Sequence, residues 1–182
     1  MRPMHRFSFM AAVLLTLVVA TGAAAQAPER LALPGINNSW RVNKDILTGG
    51  TIMMRETAIP ALKQNGVKTV INLAGGADSD AEAAAVKAAG MRYFVFPITP
   101  DDASQVDPML KVFSDTANYP VFIHSGAGHR AAVALFLKRV LIDGWDIEKA
   151  GIEAASAGMV LSNDMAPAWW KFSRDYLNAH GK

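Results

Sequence analysis

The residues of this chain best equipped for chemistry are consecutive: His124-Ser125-Gly126-Ala127-Gly128-His129-Arg130. An apolar stretch, Val121-Phe122-Ile123, precedes them, and the apolar run Ala131-Ala132-Val133 follows. The pattern predicts a buried strand, a tight loop and then a helix. Gly126 and Gly128 lack Cβ atoms, so the backbone can curl and bring successive N–H groups toward one point. A helix starting near Arg130 adds the positive end of its dipole. The Arg130 guanidinium can grip two oxygens of one tetrahedral group at once. Ser125, Gly126, Ala127, Gly128, His129 and Arg130 are therefore the expected cradle for phosphate, or for a phosphorylated or sulfated ligand. A plain strand-to-helix turn would also use glycine. The flanking His124-Ser125 and the arginine at a fixed offset favour the anion site over that simpler role.

Ser125 is the hydroxyl residue of this cradle. A dipole and an arginine can make a thiol ionise near neutral pH, but a hydroxyl starts far higher and needs an adjacent base. The chain has no cysteine, so thiol chemistry, disulfides and cysteine-based metal sites are excluded. His124 lies on the strand, where neighbours point to opposite faces, so it is expected to orient the loop from behind. His129 lies in the loop and could reach forward. Neither histidine has carboxylates at ligand-like spacing, so no metal is expected, and no cofactor motif is present. Asp78, Asp80 and Glu82 read as helix N-terminal charges, and Trp169-Trp170 as packing.

Strands alternate with helices along most of the chain. Trp40–Val42 and Ile46–Thr48 read as short strands, Thr69–Leu73 as a buried one, and Arg92–Ile98 as a third, aromatic-rich one. Helices are expected over Thr57–Asn65 with Thr57 as N-cap, over Ser79–Ala89, and from Ser104 or Asp107 to Thr116. Arg130–Ile142 is apolar on most sides and so predicts a buried central helix. Helices capped by Asp146 and covering Ala166–Ala179 complete the chain. The expected fold is α/β, with a largely parallel central sheet flanked by helices and a helical C-terminal third.

Residues 1–25 carry the features of a secretory leader. Arg2, His5 and Arg6 form a basic start, Phe7–Ala20 an apolar stretch, and Ala23-Ala24-Ala25 a cleavage site. The apolar stretch is shorter than the roughly 20 residues a membrane span needs. Export to a bacterial periplasm is expected, with no stable membrane span after cleavage. Residues 26–38 read as a surface linker and 39–182 as one domain. The chain has 18 Lys and Arg against 16 Asp and Glu. Arg2 and Arg6 belong to the leader, so the remainder is balanced, without the basic excess of a nucleic-acid binder.

His124-Ser125-Gly126-Ala127-Gly128-His129-Arg130 resembles the His-Cys-(x)n-Arg loop of the cysteine-dependent tyrosine and dual-specificity phosphatases. Four residues separate Ser125 from Arg130, a spacing similar to that in the phosphatase-like domain of bacterial beta-lactamase-hydrolase-like proteins and in rhodaneses. The order of Ile46-Leu47-Thr48-Gly49-Gly50, then Leu62 to Leu73, then Gly90-Met91-Arg92-Tyr93 and Pro97-Ile98 resembles the former group. The resemblance implies a phosphatase-like fold over about residues 40–160, a nucleophile position at Ser125 and a phosphate clamp at Arg130. It also implies a general-acid Asp on the Pro-bounded loop after the third strand, at Asp101 or Asp102. Those residues would equally serve a turn. Departures are Ser125 for Cys, Ala131 where a hydroxyl residue often helps expel the thiolate, and Ala74 where an arginine is expected. The sequence thus points to an exported anion-binding protein of impaired turnover. An active phosphoesterase using Ser125 or an activated water, and a rhodanese-like or purely interacting scaffold, remain as alternatives.

Overall fold

A computed structural model describes residues 27–158 and 166–182; the expected leader lies outside them. Six strands form one sheet: β1 (Glu29–Leu31), β2 (Ser39–Arg41), β3 (Ile46–Gly49), β4 (Thr69–Asn72), β5 (Arg92–Val95) and β6 (Val121–His124). Their spatial order is β1-β2-β3-β6-β4-β5. β3, β6, β4 and β5 run parallel, while β1 and β2 add an antiparallel edge. Six α-helices are described: α1 (Arg55–Gln64), α2 (Ser79–Ala88), α3 (Val106–Ser114), α4 (His129–Leu141), α5 (Ile147–Ser156) and α6 (Ala166–Ala179).

Strand parity divides the core into two layers. Ile46, Ile71, Val121 and Ile123 pack with α3, α4, α5 and α6. Leu47, Val70 and Phe122 pack with Ile59 and Leu62 of α1 and Val86 of α2. The mixed sheet, mostly parallel, with helices on both faces and three helices at the C-terminal end, is the architecture the alternating pattern predicts. α4 is buried from Ala131 to Val140, as its all-round apolar pattern requires. Its two buried cations are compensated: Arg139 donates to both Glu153 oxygens at 2.6 and 2.9 Å, and Lys138 donates to Asp143 at 2.8 Å.

Two local differences from expectation have clear causes. Part of the segment expected as a linker, Glu29–Leu31, is β1, hydrogen-bonded along β2, and Leu33 and Ile36 are buried. A three-residue strand between prolines carries too little pattern to register in sequence. The first helix starts at Arg55 with Met54 as N-cap, not at Thr57. The Thr57 hydroxyl donates back to Met54 O at 3.2 Å, a role inside the first turn that a sequence signal confuses with capping.

Candidate functional site

The register of the parallel strands sets Gly49, His124 and Asn72 side by side at their carboxyl ends. Ligands in open α/β sheets bind outside such ends. The chain leaves β6 there, turns through residues 125–128 and enters α4 at His129. Gly128 takes a φ of 100°, in the left-handed region open to glycine. A Cβ at that position would lie 2.9 Å from Asn38 Nδ2.

Two carbonyls of the loop are held from outside. Gly126 O accepts from Thr51 N at 2.9 Å and from Thr51 Oγ1 at 3.1 Å. Ala127 O accepts from Asn38 Nδ2 at 2.9 Å. In a planar trans peptide the N–H points opposite to its carbonyl. Each outward carbonyl therefore turns the next N–H, that of Ala127 or Gly128, to the inner side of the loop. The Gly128 N–H accordingly donates to Ser125 Oγ at 3.2 Å. Ser125 is 2% exposed, and its own N–H donates to Gly49 O at 3.2 Å. Ser125 Oγ thus sits on the inner side of the loop, facing the Gly128 N–H.

Arg130, in the first turn of α4, is half-buried and donates from Nη1 to Leu73 O at 3.2 Å. Burial lowers its pKa from an ordinary value so high that it stays cationic. His129 is also half-buried, and burial lowers its pKa. Both residues stand beside the loop, and the helix start supplies N–H groups that no helical carbonyl can satisfy.

Behind the loop, His124 shares strand parity with Phe122 and so faces α2. Its Nε2 is 2.7 Å from Glu82 Oε1, and the two residues are 3% and 6% exposed. Glu82, expected as a dipole charge, is instead the buried partner of the loop's first histidine. On β5, the Tyr93 hydroxyl accepts from Asn72 Nδ2 at 2.9 Å. Desolvation, with the nearby Glu82 charge adding to it against the Asn72 bond, pushes the Tyr93 pKa up to about 12. Asn72 Oδ1 accepts from the N–H groups of Ala74 and Gly75 at 2.8 and 3.0 Å, which fixes the turn leading to α2.

A cleft of about 210 Å³ opens beside Ser125, walled by Thr51, Arg55, Asn72, Ser79, Glu82 and His124 among others. Asp101 does not line it. Asp101 and Asp102 border a separate depression with Phe172 and Tyr176 of α6. Asp102 Oδ1 accepts from Ser104 N at 2.8 Å, which holds its carboxyl below the usual range. In this arrangement Asp102 performs the turn role. Trp169 packs edge-on against Phe172 and Trp170 against Phe136. Among the described residues no cluster could hold a metal ion, and no helix is long and apolar enough to cross a membrane.

Sequence reasoning missed Asn38, Thr51, Arg55, Asn72 and Glu82. The one local signal was Asn38, whose φ of 49° is a conformation that asparagine tolerates better than most residues. The others reach the site from distant segments.

The fold is that of the cysteine-dependent, protein tyrosine phosphatase-like proteins. TpbA from P. aeruginosa, in a cysteine-to-serine form complexed with phosphotyrosine, superposes with a TM-score of 0.64 at 20% identity, over 85% of this chain and 91% of that one. The catalytic core of the PP-IP phosphatase Siw14 from S. cerevisiae, in complex with citrate, gives 0.62 at 14% identity, over 80% and 88%. A candidate phosphatase from Shewanella putrefaciens gives 0.61 at 22% identity, over 78% and 89%. No family model matches the chain, and no curated protein matches it.

Proposed function

We propose that this protein binds phosphate, or a phosphorylated or sulfated ligand, in the loop of residues 125–130, and that a serine at the nucleophile position leaves it with little or no turnover. The observation that carries this reading is the Gly128 N–H aimed at Ser125 Oγ while the Gly126 and Ala127 carbonyls are held outward. Arg130 would exchange its bond to Leu73 O for the anion. The cysteine-to-serine form of TpbA, which holds phosphotyrosine, supports binding without a thiol. Phosphate at a hundred times its Kd should stabilise the protein by about 2.7 kcal/mol, visible as a thermal shift of several degrees. Arg130→Ala should abolish the shift. A wild-type protein indifferent to phosphate would end this reading.

A second reading, a working phosphoesterase, draws support from the cleft itself. His124 and Glu82, paired with each other at 2.7 Å, line it together with Ser125, so a water in the cleft would have the hydroxyl and a carboxylate in the same walls. Hydrolysis of p-nitrophenyl phosphate that is lost in Ser125→Ala would establish it; a rate at the no-enzyme baseline would remove it. Export remains part of the proposal, resting on the leader pattern of residues 1–25. Fractionation of cells expressing the chain with and without those residues tests it.

A further inference from the structure

The arginines outside the leader differ in how they are satisfied. Arg41, Arg92, Arg130 and Arg139 donate to oxygen acceptors. Arg30 lies over the Trp40 ring, and Arg174 faces solvent. Arg55, the first residue of α1, is half-buried and lines the cleft beside Ser125. It has no hydrogen-bond or ion-pair partner among the described residues. A half-buried guanidinium presents five N–H donors in a fixed fork that matches carboxylate or phosphate.

The rest of the cleft adds donors of the same kind. Gly76 and Ser79 line it where the chain enters the ten-residue α2, beside Gly75, whose N–H is already given to Asn72 Oδ1. Ser79 Oγ is buried without a partner and can donate its hydroxyl proton. Two carboxylates also border the cleft. Glu82 is closed off by His124 at 2.7 Å. Asp78 is exposed and repels an entering anion from its side, leaving the Arg55 side as the favoured approach.

We propose that the cleft receives a second acidic group of the ligand whose phosphate sits in the 125–130 loop, with Arg55 as its anchor. This deepens the phosphate-binding reading and rests on it. The class of ligand is a small phosphate ester carrying a carboxylate or second phosphate a few bonds away. The volume of about 210 Å³ leaves room for such a group, since a single water needs only about 10–15 Å³ of such space.

The test compares two probes of equal length by titration calorimetry on the purified protein. Phosphoglycolate carries the extra carboxylate, and ethyl phosphate carries a methyl group in its place. Wild type should bind phosphoglycolate roughly ten- to a hundredfold more tightly, the range of a charged hydrogen-bonded contact. Arg55→Gln should erase that preference and leave ethyl phosphate binding unchanged; with no partners to lose, its melting temperature should stay near that of wild type. Asp78→Asn should tighten phosphoglycolate only. Equal wild-type affinities, or a preference that survives Arg55→Gln, would overturn the assignment of Arg55 while leaving the phosphate loop intact. A folded wild type that binds neither probe would overturn the phosphate-binding reading, and this inference with it.

Discussion

Glu82 and His124 are 42 residues apart in sequence and 2.7 Å apart in the folded chain, buried together beneath the loop that begins at Ser125. The pair joins α2 to the end of β6. It therefore couples the helix that walls the cleft to the strand that delivers the loop. Removing one partner of a buried pair leaves the other polar and unmatched. Glu82→Ala should cost about 3 kcal/mol of stability, measured by urea denaturation, and Glu82→Gln, which keeps an oxygen near His124 Nε2, should cost clearly less. Equal losses from the two substitutions would show that the contact contributes little.

The outer clasp of the loop can be tested at three positions. Asn38→Ala removes the bond to Ala127 O and places a residue with a Cβ but no local polar group at a φ of 49°. Asn38→Gly removes the bond without the backbone strain. Both should weaken phosphate binding, with Asn38→Ala less stable than Asn38→Gly by about 1 kcal/mol. Gly128→Ala should abolish binding, since its Cβ meets Asn38 Nδ2 at 2.9 Å in a left-handed conformation. Gly126→Ala meets nothing within 4 Å and should stay within about 0.5 kcal/mol of wild type. Thermal melts with and without phosphate separate the four variants.

Ser125→Cys puts a thiol where the Gly128 N–H already points. The same donors, Arg130 and the start of α4 favour its thiolate. Hydrolysis of p-nitrophenyl phosphate should rise above that of the parent. Ala131 is fully buried and has no hydroxyl to assist release of the thiolate. The expected time course is a burst of nitrophenol followed by slow turnover, and adding Ala131→Ser should raise the slow phase. A Ser125→Cys protein that binds phosphate but shows no burst would mean that the loop does not activate a thiol.

Tyr93 should limit stability at alkaline pH. Its folded pKa of about 12 lies above the ordinary value of 10.0, chiefly through desolvation. A raised pKa favours the neutral phenol in the folded state. The associated stability is complete below about pH 10 and is lost as pH rises toward 12. Tyr119 and Tyr176 are shifted in the same direction. Urea midpoints should therefore fall between pH 10 and 12, and Tyr93→Phe should flatten part of that decline. An unchanged slope in Tyr93→Phe would exclude Tyr93 as a contributor.

Much of this protein was determined by local sequence. The run Val121–His124 followed by Gly126 and Gly128 specified a strand and a tight loop, because apolar β-branched residues and glycine act through nearest-neighbour sterics. The apolar surface of Ala131–Val140 required a buried helix, and the alternation of elements required a largely parallel sheet. Strand parity even placed His124 behind the loop. Tertiary structure alone decided what surrounds that loop. Thr51 and Asn38 hold the carbonyls of Gly126 and Ala127 across 75 and 89 residues, and Glu82 reaches His124 across 42. Asp101, on a loop that suited a general acid by order along the chain, borders α6 instead of the cleft. Sheet order and helix crossovers bring such residues together or keep them apart, and these depend on packing over the whole chain. The spacing of neighbouring residues carries no record of them.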